Sequence, residues 1–222
     1  MLAKGCVSIV WPQALCFSLI EKKKHLVRLS AETHVNLTFI KMRVKAQVVT
    51  SVGGHMERTI IETSKGVSGI SRPFKAIIEK LDLHDEDRIM YVGLPGVCTP
   101  FIELLAYGIR KLNIEQVFVP NLELNLTKAV VPVENIGIQF GDPVEIEKAK
   151  VVVVLGGLAM PISPVGQEQV SSFLQRVLLP GGTIIGISFM SMFEQVGWTS
   201  TVPFDFCIDA IIDPVTVERF LR

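Results

Sequence analysis

Two rhythms of apolar positions alternate along residues 56–222. Short apolar runs predict strands over Arg88–Val92, Gln116–Pro120, Ile136–Phe140, Lys150–Gly157, Thr183–Ser188 and Phe204–Ile212. A further short edge strand is expected over Arg58–Thr63. The run "KVVVVLGG" is the plainest of these, because four valines and a leucine suit a strand covered on both faces. Between the runs the spacing becomes helical. Ser71 is the expected N-cap of a helix carrying Pro73 in its first turn and Phe74, Ile77, Ile78 and Leu81 on one face. Thr99-Pro100 opens a second helix with Phe101, Leu104, Leu105 and Ile109 on one side, running out near Asn113. Gln167–Leu179 is a third, ended by Pro180-Gly-Gly182, and Val215–Leu221 is a closing helix.

Strands that alternate with helices need crossover connections, which parallel neighbours require. The expected fold is therefore an α/β, three-layer, Rossmann-like domain with a mostly parallel sheet. In such sheets ligands lie beyond the carboxyl ends of the strands. Four of those ends carry unusual residues: Gly93-Leu-Pro-Gly96 with Cys98 and Thr99, Asn121-Leu-Glu123, Gly156-Gly-Leu-Ala-Met-Pro161, and Ser188-Phe-Met-Ser191.

Each candidate has a functional and a structural reading. Glycine after the first strand lets a ligand approach the backbone, and the helix that follows favours an anion, so Gly93, Gly96 and Thr99 are expected near an anionic group. The spacing is G-x-x-G, however, and a strand-to-helix corner needs the same glycines. Glu123 stands where an acid binds a ribose hydroxyl, or is an ordinary surface residue. Gly156, Gly157 and Met160 are expected to line the opposite wall. Cys98 precedes a helix N-terminus, which would lower its pKa and make it the one candidate nucleophile; the alternative is a small buried thiol. Cys207, inside "FDFCIDAII", is expected to be the buried one.

Composition narrows the chemistry. After residue 55 the only histidine is His84, before the first strand, so a Cys–His or Ser–His pair has no base at the carboxyl edge. There is no G-x-S-x-G and no P-loop. Four cysteines without a C-x-x-C pair argue against a zinc or iron–sulfur site, and no metal ligand is assigned. The same cysteine usage points to a reducing, cytoplasmic compartment.

The zero formal net charge hides two different sequences. Residues 1–55 carry eight Lys/Arg against two Glu, and residues 56–222 carry 14 Lys/Arg against 20 Asp/Glu. An acidic domain offers no general attraction to nucleic acid or an anionic membrane. The apolar stretch Gly5–Ile20 is short for a membrane span and lacks a small-x-small cleavage site. Residues 1–55 are read as an N-terminal extension, with translation expected to start at Met56, and residues 56–222 as the α/β domain.

Two resemblances add to this. "LLPGGTIIG" resembles the helix-end turn and strand of class I S-adenosylmethionine-dependent methyltransferases. "RIMYVGLPG" then stands at their first glycine motif, Glu123 near their ribose-binding acid, and "VVVVLGG" at their fourth-strand motif. The first motif lacks their acidic residue and extra glycine. More closely, "GISRPFKAIIE", "GLPGVCTPFIELLAYG" and "VLGGLAMP" resemble an archaeal family, found largely in methanogens, called domain of unknown function 2124. That resemblance implies a Rossmann-like cytosolic domain and carries no catalytic residues.

The sequence thus favours a protein binding a small nucleotide-like ligand at the carboxyl edge. The cofactor is left unknown. The alternatives are a non-catalytic domain acting through a homodimer or protein partner, and a divergent methyltransferase.

Overall fold

The computed structural model describes residues 58–212 and 217–219. The valine run forms β5 (Ala149–Leu155), which pairs in parallel with β1 (Arg88–Gly93) on one side and β6 (Leu178–Phe189) on the other. β2 (Glu115–Pro120) lies parallel to β1, and β7 (Phe206–Ala210) lies parallel to β6. Two further strands, β3 (Lys128–Val133) and β4 (Gly137–Pro143), form an antiparallel hairpin that extends the sheet beyond β2. The seven strands run in the order β4-β3-β2-β1-β5-β6-β7.

Helices cover both faces, so the domain is an α/β three-layer fold. Alternate residues of the central strands point to opposite sides, which divides the core in two. Ile89, Tyr91, Val151 and Val153 meet α1 (Ser68–Lys80) and α2 (Thr99–Ile109). Met90, Val92, Val152 and Val154 meet α3 (Gln167–Val177) and the short α4 (Met192–Gln195). One polar pair is sealed in the first layer: the Tyr91 hydroxyl donates to Gln116 Oε1 at 2.8 Å, satisfying both groups.

Several expectations need correction. Arg58–Thr63 holds only an isolated bridge at Thr59. α1 begins at Ser68, not after Ser71, so Pro73 lies inside the helix. The buried stripe of α2 is Ile102, Leu105, Ala106 and Ile109, while Phe101 and Leu104 are half-buried. The sequence reading omitted β3, and Gly141-Asp-Pro143 belongs to β4 instead of turning it. The closing helix falls largely outside the described residues, and Val217–Arg219 are not helical. Residues 1–55 lie outside the described residues as well. Among the described residues no helix is long and apolar enough to cross a membrane.

Candidate functional site at the carboxyl edge

Counting only the parallel strands in chain order, the sheet reads 2-1-3-4-5. That is the flavodoxin-like doubly wound order, not the dinucleotide-binding 3-2-1-4-5-6 order. The antiparallel β3 occupies the place beside β2 that a third parallel strand would take. The order reverses between β1 and β5. After β1 the chain turns to α2 on one face, and after β5 it turns through a 3-10 turn (Gly156–Ala159) towards α3 on the other. The candidate site is the crevice opened by that divergence.

The floor of the crevice is filled by Cys98. The chain after Gly93 curls back so that the Cys98 amide donates to the Leu94 carbonyl at 2.9 Å. This brings the thiol between the two strand ends. A Cβ on Gly93 would stand 2.8 Å from Cys98 Cβ, and a Cβ on Gly157 would collide with Cys98 Sγ. Both glycines therefore make room for a side chain of the protein itself. Gly156 makes room for β6, where a Cβ would lie 3.0 Å from Ser188 Cβ. Gly96 differs: its φ of +78° meets a left-handed turn with open space around it.

Cys98 is 2 % exposed, and burial pushes its thiol pKa up, with backbone hydrogen bonding to Leu94 and Gly157 opposing only part of the rise. Of the two readings of Cys98 this is the small buried thiol and not the thiolate lowered by a helix dipole, because desolvation of the thiolate outweighs the dipole. Cys207 reverses its expectation. β7 is an edge strand, so Cys207 keeps an exposed surface. Its sulfur nevertheless packs 3.0 Å from where a Gly186 Cβ would stand. That partial desolvation, with the charge of Asp209, pushes its pKa up to about 11.

The start of α2 offers few anion donors. Cys98 spends its amide on Leu94, Pro100 has none, and the amides of Phe101 and Ile102 both donate to the Cys98 carbonyl. Only Thr99 is left in that turn, and its hydroxyl donates to the Gly96 carbonyl at 3.4 Å. Glu123 is exposed on the loop after β2, and Met160 is half-buried at the end of the turn after β5. Gly93, Gly96 and Thr99 lie along the turn from β1 into α2, Gly156, Gly157 and Met160 along the turn after β5, and Glu123 on the loop after β2.

Asn121, noted in the sequence only as the residue opening the loop after β2, has a definite place here. Its amide donates to the Gly93 carbonyl at 3.1 Å, which holds the β2 loop over the end of β1. Its Oδ1 is buried and has no hydrogen-bond partner. Asn121 and Leu122 are both left-handed, with φ of +50° and +68°. A second left-handed pair, Met190 and Ser191, follows β6. Four of the six non-glycine residues with positive φ among the described residues therefore sit at this one edge, where such strain accompanies binding sites. The second pair is held by Asp209, which accepts from Ser188 Oγ at 2.5 Å and from the amide and hydroxyl of Ser191. The signal available in the sequence was "PNLE", an asparagine directly after a strand, since Asn tolerates the left-handed region.

Chemically the edge can accept a hydrogen bond and shelter apolar surface. Among the described residues no histidine stands there, since His84 lies before β1 at the opposite edge. Nor do they gather three His, Cys, Asp or Glu side chains able to hold a metal.

Comparison with known proteins gives the family. The chain is 32% identical over 161 residues to the uncharacterised protein MJ1183 of Methanocaldococcus jannaschii, spanning 72% of this chain and 95% of that one. It is 34% identical over 147 residues to an uncharacterised protein of Methanothermobacter thermautotrophicus, spanning 64% of this chain and 94% of that one. A crystal structure of a protein of unknown function from Methanothermobacter thermautotrophicus matches at a TM-score of 0.62 with 31% identity, covering 75% of this chain and all of that one. A family described as an uncharacterised protein conserved in archaea matches residues 65–213, which hold every strand and helix of the sheet and its crevice, and the chain belongs to that family, DUF2124.

Proposed function

We propose that this protein binds a small nucleotide-like ligand at the carboxyl edge of its sheet, in the crevice between the ends of β1 and β5. The observation that carries this reading is the buried, unpartnered Oδ1 of Asn121 beside the point where the strand order reverses. Buried polar atoms in folded proteins find a partner in the great majority of cases, and ligands of doubly wound sheets lie at that reversal. The left-handed Asn121-Leu122 pair supports it, because the backbone there is held away from its preferred conformations. The activity read from these residues is binding. Covalent chemistry at Cys98 is disfavoured by its burial and its raised pKa.

The test is native mass spectrometry of freshly purified full-length protein, followed by hydrogen exchange with the released ligand added back. The expected result is a bound small molecule whose return slows exchange in residues 93–98, 121–123 and 156–160. Protection confined to other segments would refute the placement.

A further inference from the structure

We infer that the ligand is phosphate-free: a nucleoside-like molecule, neutral or cationic, with an N–H or O–H that donates to Asn121 Oδ1. This rests on the reading of the carboxyl edge as the binding site, and narrows its chemistry.

The first ground is charge. The segments beside the crevice at this edge are 94–100, 121–127, 156–166, 189–195 and 209–212, and they contain no Lys, Arg or His. Their charged side chains are Glu123, Glu194 and Asp209. Arg58 is spent on Glu194, at 2.7 Å. Lys128 stands on β3 opposite Phe118, on the far side of β2 from the crevice. A phosphate would meet an acidic rim with no lysine or arginine in these segments, whereas phosphate sites ordinarily use Arg or Lys.

The second ground is the backbone. A helix start ordinarily presents several free N–H groups to an anion. Here the fold of Leu94–Cys98 uses one, Pro100 removes another, and Cys98 O accepts two more. At the helix start itself, what remains is the amide of Thr99.

The third ground is what the edge does present. Asn121 Oδ1 is an acceptor, so its partner must be a donor. Exposed Val97, Ile162 and Met190, with half-buried Met160, give the rim apolar surface suited to a ring. An acceptor, apolar walls and an acidic rim together select a base or sugar that donates hydrogen bonds, with no phosphate.

The test compares adenosine and adenosine 5′-monophosphate by saturation-transfer NMR and calorimetry on the full chain, beside the Asn121→Gly variant. Glycine accepts the left-handed backbone at 121, so the variant removes the acceptor without straining the loop. The expected result is adenosine binding at least tenfold tighter than the monophosphate, weakened about tenfold in Asn121→Gly. Equal or tighter binding of the monophosphate would overturn the phosphate-free inference while leaving the edge as a ligand site. Adenosine binding unchanged in Asn121→Gly would overturn the role of Oδ1. Failure of both compounds to bind would overturn the nucleotide-like reading itself, and this inference with it.

Discussion

The sharpest test of the crevice floor is a double-mutant cycle on Gly157 and Cys98. A Cβ at Gly157 collides with Cys98 Sγ, while its next neighbours, Leu94 Cβ and Val97 Cγ1, lie at an ordinary 3.4 Å. Gly157→Ala should therefore destabilise the domain by about 1–3 kcal/mol through overpacking against a single atom. Cys98→Ala removes that atom and leaves a sulfur-sized gap, costing about 1 kcal/mol. In the double variant the new methyl moves into the space the sulfur vacated. The two changes should then couple favourably by about 2 kcal/mol, leaving the double variant close to Cys98→Ala alone. Gly93→Ala provides the contrast. Its Cβ would stand 2.8 Å from Cys98 Cβ, an atom that alanine at 98 retains. Cys98→Ala should rescue Gly157→Ala and fail to rescue Gly93→Ala. Urea unfolding followed by far-UV circular dichroism measures all five variants, with unchanged slopes as the check on two-state behaviour. A double variant no more stable than Gly157→Ala would show that the sulfur is not the obstacle.

Three further outcomes are expected. Iodoacetamide labelling of the folded protein, read by peptide mass, should modify exposed Cys207 before buried Cys98, and faster as the pH approaches about 11; labelling of Cys98 first would contradict its burial. Burial raises the folded pKa values of Cys98, Cys207 and Tyr91, so the unfolded chain loses those protons at lower pH. The urea midpoint should accordingly hold up to about pH 8.5 and fall as the pH rises towards 11, and a flat profile there would refute the linkage. Asp209→Ala leaves the buried Ser188 hydroxyl without its acceptor and the left-handed Met190-Ser191 pair unsupported, so it should lower stability by about 1–3 kcal/mol, whereas Arg58→Ala, at an exposed pair, should cost less than about 1 kcal/mol.

The parallel core was legible because its strands are continuous apolar runs: "RIMYV", "QVFVP" and "KVVVVL" all fall where the patterning puts them. β3 was hidden by Pro132, since proline argues against a strand flanked on both sides. It is tolerated because β2 pairs with β3 only at Ala129 and Lys128, and β3 has run past β2 by the time it reaches Pro132. Pro180-Gly-Gly182 reads as a helix stop, yet β6 already begins at Leu178, and the glycines form a bulge between the pairings of Leu178 and Thr183. At the site, the glycines could be found by type and position, but their purpose could not. Whether the space above Gly93 and Gly157 serves a ligand or a thiol depends on the curl of Leu94–Cys98, which periodicity does not encode. The pKa of Cys98 failed for the same reason: a helix start argues for a thiolate, and only burial, a tertiary fact, reverses the sign.

The hairpin beside β2 also sets the order in which the sheet can assemble. Val133 pairs with Gly137 and Phe118 with Lys128, contacts spanning 4 and 10 residues, whereas Ile89 meets Val151 across 62. Closing the longer loop costs about 1.6 kcal/mol more than closing the ten-residue one, from the logarithmic dependence on length. The β2-β3-β4 flank is thus expected to form early as a local unit, with the docking of β5 on β1 as the slow event. That same docking creates the crevice. The edge that would hold a ligand therefore comes into being only when folding is nearly complete, and a chain stalled before that step would carry an intact hairpin and no site.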